Sequence, residues 1–312
     1  MSVTTEKQDR AVQRRGDRIF SGSAKGAGIF ILVVLAGVAT FLLIEALPAL
    51  TAPAEDIIGG EGLTAYVLPL VFGTLLSATV ALVIATPLAV CIALFITHYA
   101  PRRLAQSLGY LVDLLAAVPS IIFGLWGVQV LAPASVPISR WLETNLGFLP
   151  FFAGPTTATG RTMLVTGLVL AVMILPLITA VSREVFLQTP TLHEEASLAL
   201  GATRWEMIRM SVLPFGRSGI ISGAMLGLGR ALGETMAVAI VLSASGGITF
   251  NLISSGNPST IAANIALTFP ESSGLAINVL IASGLILFVI TLAVNMLARY
   301  IIARRAEFSG AN

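Results

Sequence analysis

Charged residues are scarce in this sequence of 312 residues, because Asp, Glu, Lys and Arg together make up only 11% of it. A soluble domain carries about 25% charged residues. Hydrophobic residues account for 56% of the chain. This composition excludes an ordinary water-soluble globular protein and indicates that most of the chain lies in a lipid bilayer.

Cysteine and histidine are nearly absent as well. Cys91 is the only cysteine and lies in an apolar run, while His98 and His193 are far apart in the sequence. These residues support neither a disulfide framework nor a metal site. The sequence also lacks the H-E-x-x-H, G-x-S-x-G and G-x-x-x-x-G-K-[ST] motifs of metalloproteases, hydrolases and ATPases. We therefore predict a protein that is not an enzyme, has no cofactor of its own and does not bind nucleic acid.

Long apolar runs recur along the whole chain, and six of them reach the roughly 20 residues that a transmembrane helix needs. The runs that we predict as spans are 26–47, 66–97, 104–131, 162–181, 219–242 and 275–297. The first is longer than the ~7 to 15 apolar residues of a secretory signal, so we expect it to be retained. The sequence thus predicts an all-α membrane domain over 26–305, with a basic tail over 1–25 and a short tail over 306–312.

Basic residues in the connecting segments fall almost entirely on one side of the membrane. Fifteen lie in the segments assigned to one side, against only Arg140 and Arg161 on the other. Because Lys and Arg are retained on the cytoplasmic side, we predict that both termini are cytoplasmic. The outer loop over 132–161 is then expected to form an interfacial cap or a docking surface, and 259–269 a short helix.

Two opposite charges lie inside the fifth predicted span. At 1.5 Å per residue from Gly219, Arg230 is roughly 16 Å deep, near the middle of an apolar core about 30 Å thick. A lone arginine at that depth costs at least ~2.5 kcal/mol, so it should face water or a partner. On a continuous helix Arg230 and Glu234 share one stripe with Gly219, Gly223 and Gly227. We expect this stripe to pack against another helix, and Glu234 to pair with Arg230.

This stripe suits a gated route for an anion, because a guanidinium donates a forked set of hydrogen bonds to an oxyanion. We therefore assign Arg230 and Glu234 to a transport pathway, with a purely structural salt bridge as the alternative. Asp113, in the third predicted span, is a further candidate. Three roles stay open for it: a partner of Arg230, a lining residue of the route, or a cap near the cytoplasmic surface.

A polar segment over 182–217 joins the fourth and fifth predicted spans. Its pattern predicts a helix that starts after Pro190 and stops at Gly201, a second helix from about Thr203, and a break at Pro214. This is an exposed cytoplasmic elbow, suited to docking a partner. The alternative is an ordinary amphipathic linker at the membrane surface.

The elbow carries a spaced motif composed of Glu195-Ala196-Ser197, Gly201 and Leu213-Pro214. This motif resembles the EAA loop of ABC importer permeases, which reads EAA, three residues, Gly, nine residues, Ile, one residue, Leu-Pro. Ser197 replaces the second alanine of that pattern, and Ser211 replaces its isoleucine. The resemblance implies a type I ABC importer permease fold and a separate ATPase chain. It assigns coupling to that ATPase to Glu195, Ala196, Gly201, Leu213 and Pro214.

Two further segments resemble phosphate permeases within that family. Residues 229–238 read GRALGETMAV and residues 117–127 read AVPSIIFGLWG. The ending of the first segment, the basic tail and the long outer loop resemble the PstC type of subunit more than the homologous PstA type. The resemblance implies uptake of inorganic phosphate through a bacterial inner membrane, with Arg230 and Glu234 acting in transport.

Four kinds of partner follow from the same resemblance. They are membrane lipid, a second permease (PstA-like), a cytoplasmic ATPase dimer (PstB-like) that binds ATP and Mg²⁺, and an extracytoplasmic phosphate-binding protein (PstS-like). Two alternatives stay open from the residues themselves. One is a permease for another oxyanion, such as sulfate or molybdate, and the other is a secondary anion transporter or channel, which also places charges in the membrane.

Overall fold

The computed structural model describes residues 15–306, and the regular structure within this range is entirely helical. The helices are α1 (Arg15–Thr51), α2 (Leu63–Leu94), α3 (Arg102–Ala116), α4 (Ser120–Trp126), α5 (Ala132–Leu146), α6 (Met163–Leu187), α7 (Thr191–Ala199), α8 (Arg204–Met207), α9 (Leu213–Leu232), α10 (Met236–Val241), α11 (Ile261–Thr268) and α12 (Leu275–Ala306). Wide helical turns extend α2 over Phe95–Tyr99 and link α4 to α5 over Gly127–Leu131 and α8 to α9 over Ile208–Val212.

Five helical segments of the described range are long and apolar enough to cross a membrane. They are Ile19–Thr51, Leu63–Tyr99, Ser120–Leu146, Met163–Leu187 and Leu275–Tyr300. The predicted all-α membrane fold is therefore confirmed. Six spans and cytoplasmic termini stay predictions, and the predicted tails lie partly outside the described residues, at 1–14 and 307–312.

The buried core is built around α6, which packs between α2 and α9. Along α2, Ala81, Ala85 and Ala89 are completely buried. Small side chains at a spacing of four residues let two backbones approach closely within a membrane. The first helix packs along the last one, and Asn278 Nδ2 donates to the Glu45 carbonyl oxygen at 2.7 Å.

The third predicted span, 104–131, is wrong as one continuous helix. Its first half is α3, which ends at Ala116, and the membrane-length segment begins only at Ser120. Pro119 explains the break, since proline lacks an N–H group and disfavours helical backbone in the residue before it. The segment then continues to Leu146, so the first half of the predicted outer loop 132–161 is helical. Pro133 is tolerated there because it lies in the first turn of α5.

The fifth predicted span, 219–242, is also divided. It starts earlier, as α9, and stops at Leu232, and α10 follows after three residues. The expected break at Pro214 is absent because the wide turn Ile208–Val212 leads into α9, and proline occupies its first turn. Helix α11 lies within 259–269, where the sequence predicts a short helix.

Candidate functional site

The break between α9 and α10 lies inside the motif at 229–238. Gly233 ends α9, and the Glu234 N–H donates to the Ala231 carbonyl oxygen at 3.4 Å. The Glu234 side chain is 9% exposed, and its Oε1 accepts from the Ala237 N–H at 3.1 Å. Glu234 therefore caps the first turn of α10, where free N–H groups attract a carboxylate.

This geometry corrects the predicted ion pair. Arg230 lies in the last turn of α9, on the other side of the break, and is half-buried. Its guanidinium makes neither a hydrogen bond nor an ion pair with the side chains and backbone that the structure describes. The stripe that placed Glu234 beside Arg230 required an unbroken helix, and the turn at Gly233 ends it. Within the described part of the chain the Arg230 guanidinium thus has no partner, and the Glu234 carboxylate instead caps α10.

Helix α10 rests on α4, so the two segments that resemble phosphate permeases are in contact. A Cβ atom added to Gly124 would lie 2.9 Å from Ala237 Cα, which is too close for a side chain. One added to Gly127 would lie 3.1 Å from Val241 Cγ2. Gly124 thus makes room for α10, while Gly127 makes room for both α10 and α6, because Val169 Cγ2 would lie only 2.5 Å from its added Cβ.

The three glycines of the predicted stripe lie against α6. Gly219, Gly223 and Gly227 are buried, and they face Val185, Val181 and Ile178 in turn. An added Cβ would be 3.3 Å from Val181 Cβ at Gly223, and 2.9 Å from Ile178 Cδ1 at Gly227. Close contact between α9 and α6 therefore runs from the elbow almost to Arg230.

Asp113 pairs with Arg183 and not with Arg230, the first of the roles considered for it. Its Oδ2 lies 3.5 Å from Arg183 Nη2, so it joins α3 to the final turns of α6. Half of the Asp113 side chain is exposed. A pair this open to solvent contributes about 0 to 1 kcal/mol. Asp113 is therefore not the partner of Arg230.

The elbow consists of an exposed arm and a buried arm. In α7, which contains Glu195 and Ala196, no residue is buried. Gly201 then adopts φ +87, a left-handed conformation that glycine accepts without strain. In the second arm Met207, Ile208 and Val212 are buried against α2 and α6. Leu213 and Pro214 form the first turn of α9 directly behind this arm.

A capping box fixes the start of the second arm. The Thr203 N–H donates to Glu206 Oε2 at 2.7 Å, while Thr203 Oγ1 accepts from the Glu206 N–H at 3.3 Å. These two interactions satisfy N–H groups that a helix start leaves free. The hydrogen bonds from Thr203, that of its backbone first, hold the pKa of Glu206 below its usual range.

Contacts to the end of α2 hold the elbow in place. His98 Nε2 lies 3.5 Å from Glu194 Oε1, and Arg204 Nη1 donates to the His98 carbonyl oxygen at 3.4 Å. The Arg204 guanidinium also lies 5.8 Å from the centre of the Tyr99 ring. These residues are 96 or more positions apart in the chain, and no motif or periodicity in the sequence indicates the contacts.

The two serines that depart from the EAA pattern touch each other. Ser197 Oγ in α7 lies 2.9 Å from Ser211 Oγ in the second arm. The His193 carbonyl oxygen lies within hydrogen-bond distance of both hydroxyls, at 2.9 Å from Ser197 Oγ and 3.3 Å from Ser211 Oγ, so one serine donates to this carbonyl and the other donates to its partner serine. Hydrogen bonds between the arms thus replace the apolar contact that alanine and isoleucine would make. Sequence comparison marks each serine as a departure but does not show that they are partners.

Comparison with known proteins gives consistent matches over most of the chain. Residues 85–307 match the family described as binding-protein-dependent transport system inner membrane component. The chain is 49% identical over 305 residues to phosphate transport system permease protein PstC 2 of Mycobacterium tuberculosis, covering 94% of each protein. It is 39% identical over 324 residues to the PstC protein of Mesorhizobium japonicum, covering 100% of this chain and 98% of that one.

Two solved structures have a similar fold. One is a bacterial alginate ABC transporter in complex with a periplasmic protein, with a TM-score of 0.64, 15% identity, and coverage of 93% of this chain and 96% of that one. The other is a bacterial ABC transporter that imports alginate, with a TM-score of 0.56, 16% identity, and coverage of 92% and 99%. At these identities the likeness concerns the fold alone.

Proposed function

The chain belongs to the family of binding-protein-dependent transport system inner membrane components, and from this premise we propose that it conducts inorganic phosphate as a permease subunit of an ATP-driven importer. It is a multi-pass protein of the bacterial inner membrane. Permease subunits of this family are not themselves enzymes. Relatives across the whole length of the chain are phosphate permeases of the PstC type.

The observation that carries the proposal is the guanidinium of Arg230, which lies beside a broken helix and has no partner among the described residues of the chain. An arginine buried in a membrane protein normally pairs or faces water, because its charge is costly in lipid. Here the nearest acidic residue along the chain, Glu234, is engaged at the start of α10. The forked donors of Arg230 are therefore available to a dianionic or monoanionic oxyanion that passes the break.

Coupling to ATP hydrolysis is assigned to the exposed arm of the elbow. Large apolar side chains are exposed at Leu192, Leu198 and Leu200, with 72%, 46% and 89% of their surfaces accessible. The buried arm continues through the wide turn into α9, which ends at Arg230. A displacement of α7 by a bound partner would thus be transmitted to α9, the helix that carries Arg230. We assign this docking face to an ATPase subunit that binds ATP and Mg²⁺.

The other partners follow from the family. A second, homologous permease (PstA-like) would complete the pathway, two ATPase subunits (PstB-like) would bind the elbows, and an extracytoplasmic protein (PstS-like) would deliver phosphate. Both termini of the chain would lie in the cytoplasm, together with the elbow.

Reconstitution tests this proposal directly. Proteoliposomes that contain the chain, the three partners and internal ATP should accumulate phosphate, and excess sulfate should not compete. Proteoliposomes with the chain alone should show no uptake. Uptake by the chain alone would indicate a secondary transporter, and competition by sulfate or molybdate would indicate a permease for another oxyanion.

A further inference from the structure

Arg161, which lies just before α6, binds the C-terminal end of α10. Its Nη2 donates to the Ile240 carbonyl oxygen at 2.7 Å, and its Nε donates to the Val241 carbonyl oxygen at 3.4 Å. The backbone joins the contact, because the Ser243 N–H donates to the Arg161 carbonyl oxygen at 3.3 Å. Three hydrogen bonds thus join Arg161 to the last turn of α10 and to Ser243 just after it, about eighty positions along the chain.

The segment that carries Arg161 is itself firmly placed. Gly160 has φ +66, and an added Cβ would overlap the carbonyl oxygen of Ala132, at the start of α5. On the other side, Thr162 Oγ1 accepts from the Val165 N–H at 3.4 Å and caps α6. Arg161 therefore projects from a fixed corner between α5 and α6.

The two ends of α10 are held by opposite charges. Glu234 caps its first turn, and the Arg161 guanidinium binds carbonyl groups of its last turn. This is the favourable arrangement for the helix dipole, with the anion at the N-terminus and the cation at the C-terminus. A helix of six residues gains little stability from its own hydrogen bonds, so its placement depends on such contacts.

We propose that Arg161 is a positioning residue for α10, the helix that follows the break beside Arg230. It holds α10 against the corner between α5 and α6. When α9 moves, the backbone therefore bends at the break over 233–235, and the outer end of α10 stays in place. Arg161 acts through α10 and does not bind the transported anion. The placement of α10 by Arg161 rests on the contacts described above, and its effect on uptake rests on the proposed transport function.

A thiol reporter at the end of α10 tests the geometry. Cys91 is the only cysteine of the chain, so a Cys91→Ser background carrying Leu242→Cys has a single thiol at a position that is 7% exposed. The assembled transporter, without substrate, is treated with a membrane-impermeant maleimide from the outer side. We expect Arg161→Gln to increase the labelling rate about tenfold, which corresponds to the loss of about one charge-assisted hydrogen bond. Arg161→Lys should fall between, because an ammonium lacks the forked donors.

Arg140→Gln is the matched control. Arg140 is the other basic residue predicted on the outer side, it is exposed, and its side chain makes no hydrogen bond within the described part of the chain. The substitution removes the same charge and should leave labelling unchanged. Copurification with the partner subunits verifies that each variant assembles.

Uptake measurements separate positioning from attraction of the anion. If Arg161 positions α10, Arg161→Gln lowers the maximal rate of phosphate uptake and leaves the half-saturating concentration unchanged. Equal labelling in the parent and in Arg161→Gln would overturn the proposal. So would a variant that changes only the half-saturating concentration and is fully restored by lysine. Labelling needs no substrate, so its result stands even if the unmodified complex fails to transport phosphate, a failure that would count against the proposed function alone.

Discussion

Replacing Gly201 by alanine adds one methyl group at the turn of the elbow. Gly201 has φ +87, and an added Cβ would meet no atom within 4 Å, so the change introduces backbone strain without a clash. A residue other than glycine in left-handed backbone costs roughly 1 to 2 kcal/mol. Since 1.4 kcal/mol is a factor of ten, the native turn should become about 5 to 30 times less favoured relative to a relaxed elbow.

The effect of Gly201→Ala on coupling is measured as the number of ATP molecules hydrolysed for each phosphate taken up by the reconstituted importer. Because α7 has no buried residue, the turn and the contacts between the arms largely determine where its exposed face points. A relaxed turn should let the ATPase run while less of its movement reaches α9. We therefore expect Gly201→Ala to raise the ratio of ATP to phosphate, and Gly201→Leu to do so at least as strongly.

Gly246 provides the control for strain itself. It also has φ +87 and nothing within 4 Å of an added Cβ, but it lies in the loop after α10. Gly246→Ala should therefore carry the same backbone cost and leave the ratio of ATP to phosphate at the parent value. An unchanged ratio in Gly201→Ala, or an equal rise in both variants, would refute the assignment of coupling to the elbow.

Three further predictions concern the packing of α9 and the two helix caps. Gly227→Val should overpack the contact with α6 at a cost of about 1 to 3 kcal/mol and lower the thermal midpoint of the complex; an unchanged midpoint would contradict this packing. Glu234→Ala should reduce uptake more than Glu234→Gln, because only glutamine keeps an acceptor for the Ala237 N–H, whereas equal losses would show that the charge itself is required. Glu206 has a lowered pKa, so its stabilisation of the elbow is present above the usual value of 4.5 and is lost as pH falls through the folded pKa. The protection factor of the Thr203 amide, which compares its exchange rate with the intrinsic rate at the same pH, should therefore fall at acidic pH, and Glu206→Gln should abolish this pH dependence.

Local signals in the sequence predict much of the fold. The apolar runs locate α2, α6 and α12 because a membrane span needs length and hydrophobicity, both of which are properties of one segment. The elbow is equally local, since its turn depends on Gly201. The glycine spacing of α9 likewise indicates the close contact with α6.

Helix breaks inside apolar runs were harder to predict. The apolar run continues through Pro119, so the length of the run predicts one helix where the structure has α3 and a separate membrane segment. At Gly233 the sequence offers a weaker signal, because a single glycine within a membrane helix is common. A helical wheel that continues past that glycine predicts an ion pair between Arg230 and Glu234, which the structure does not contain.

Contacts between distant segments are the part that one sequence cannot supply. Arg161 appeared only as an exception in the distribution of basic residues, and its grip on α10 depends on how α5 and α6 meet. The pairing of Ser197 with Ser211 depends in the same way on the turn between the two arms. Periodicity reports which face of a helix is apolar, but it carries no information on which helix covers that face.

In the proposed route, the guanidinium of Arg230, which has no partner among the described residues, binds the anion as it passes the helix break. The most direct test is ATP-dependent phosphate uptake by the reconstituted importer containing Arg230→Gln, with copurification of all subunits as the check on assembly. We expect an intact complex with uptake abolished. An intact complex that takes up phosphate at the parent rate would show that Arg230 is not part of the route.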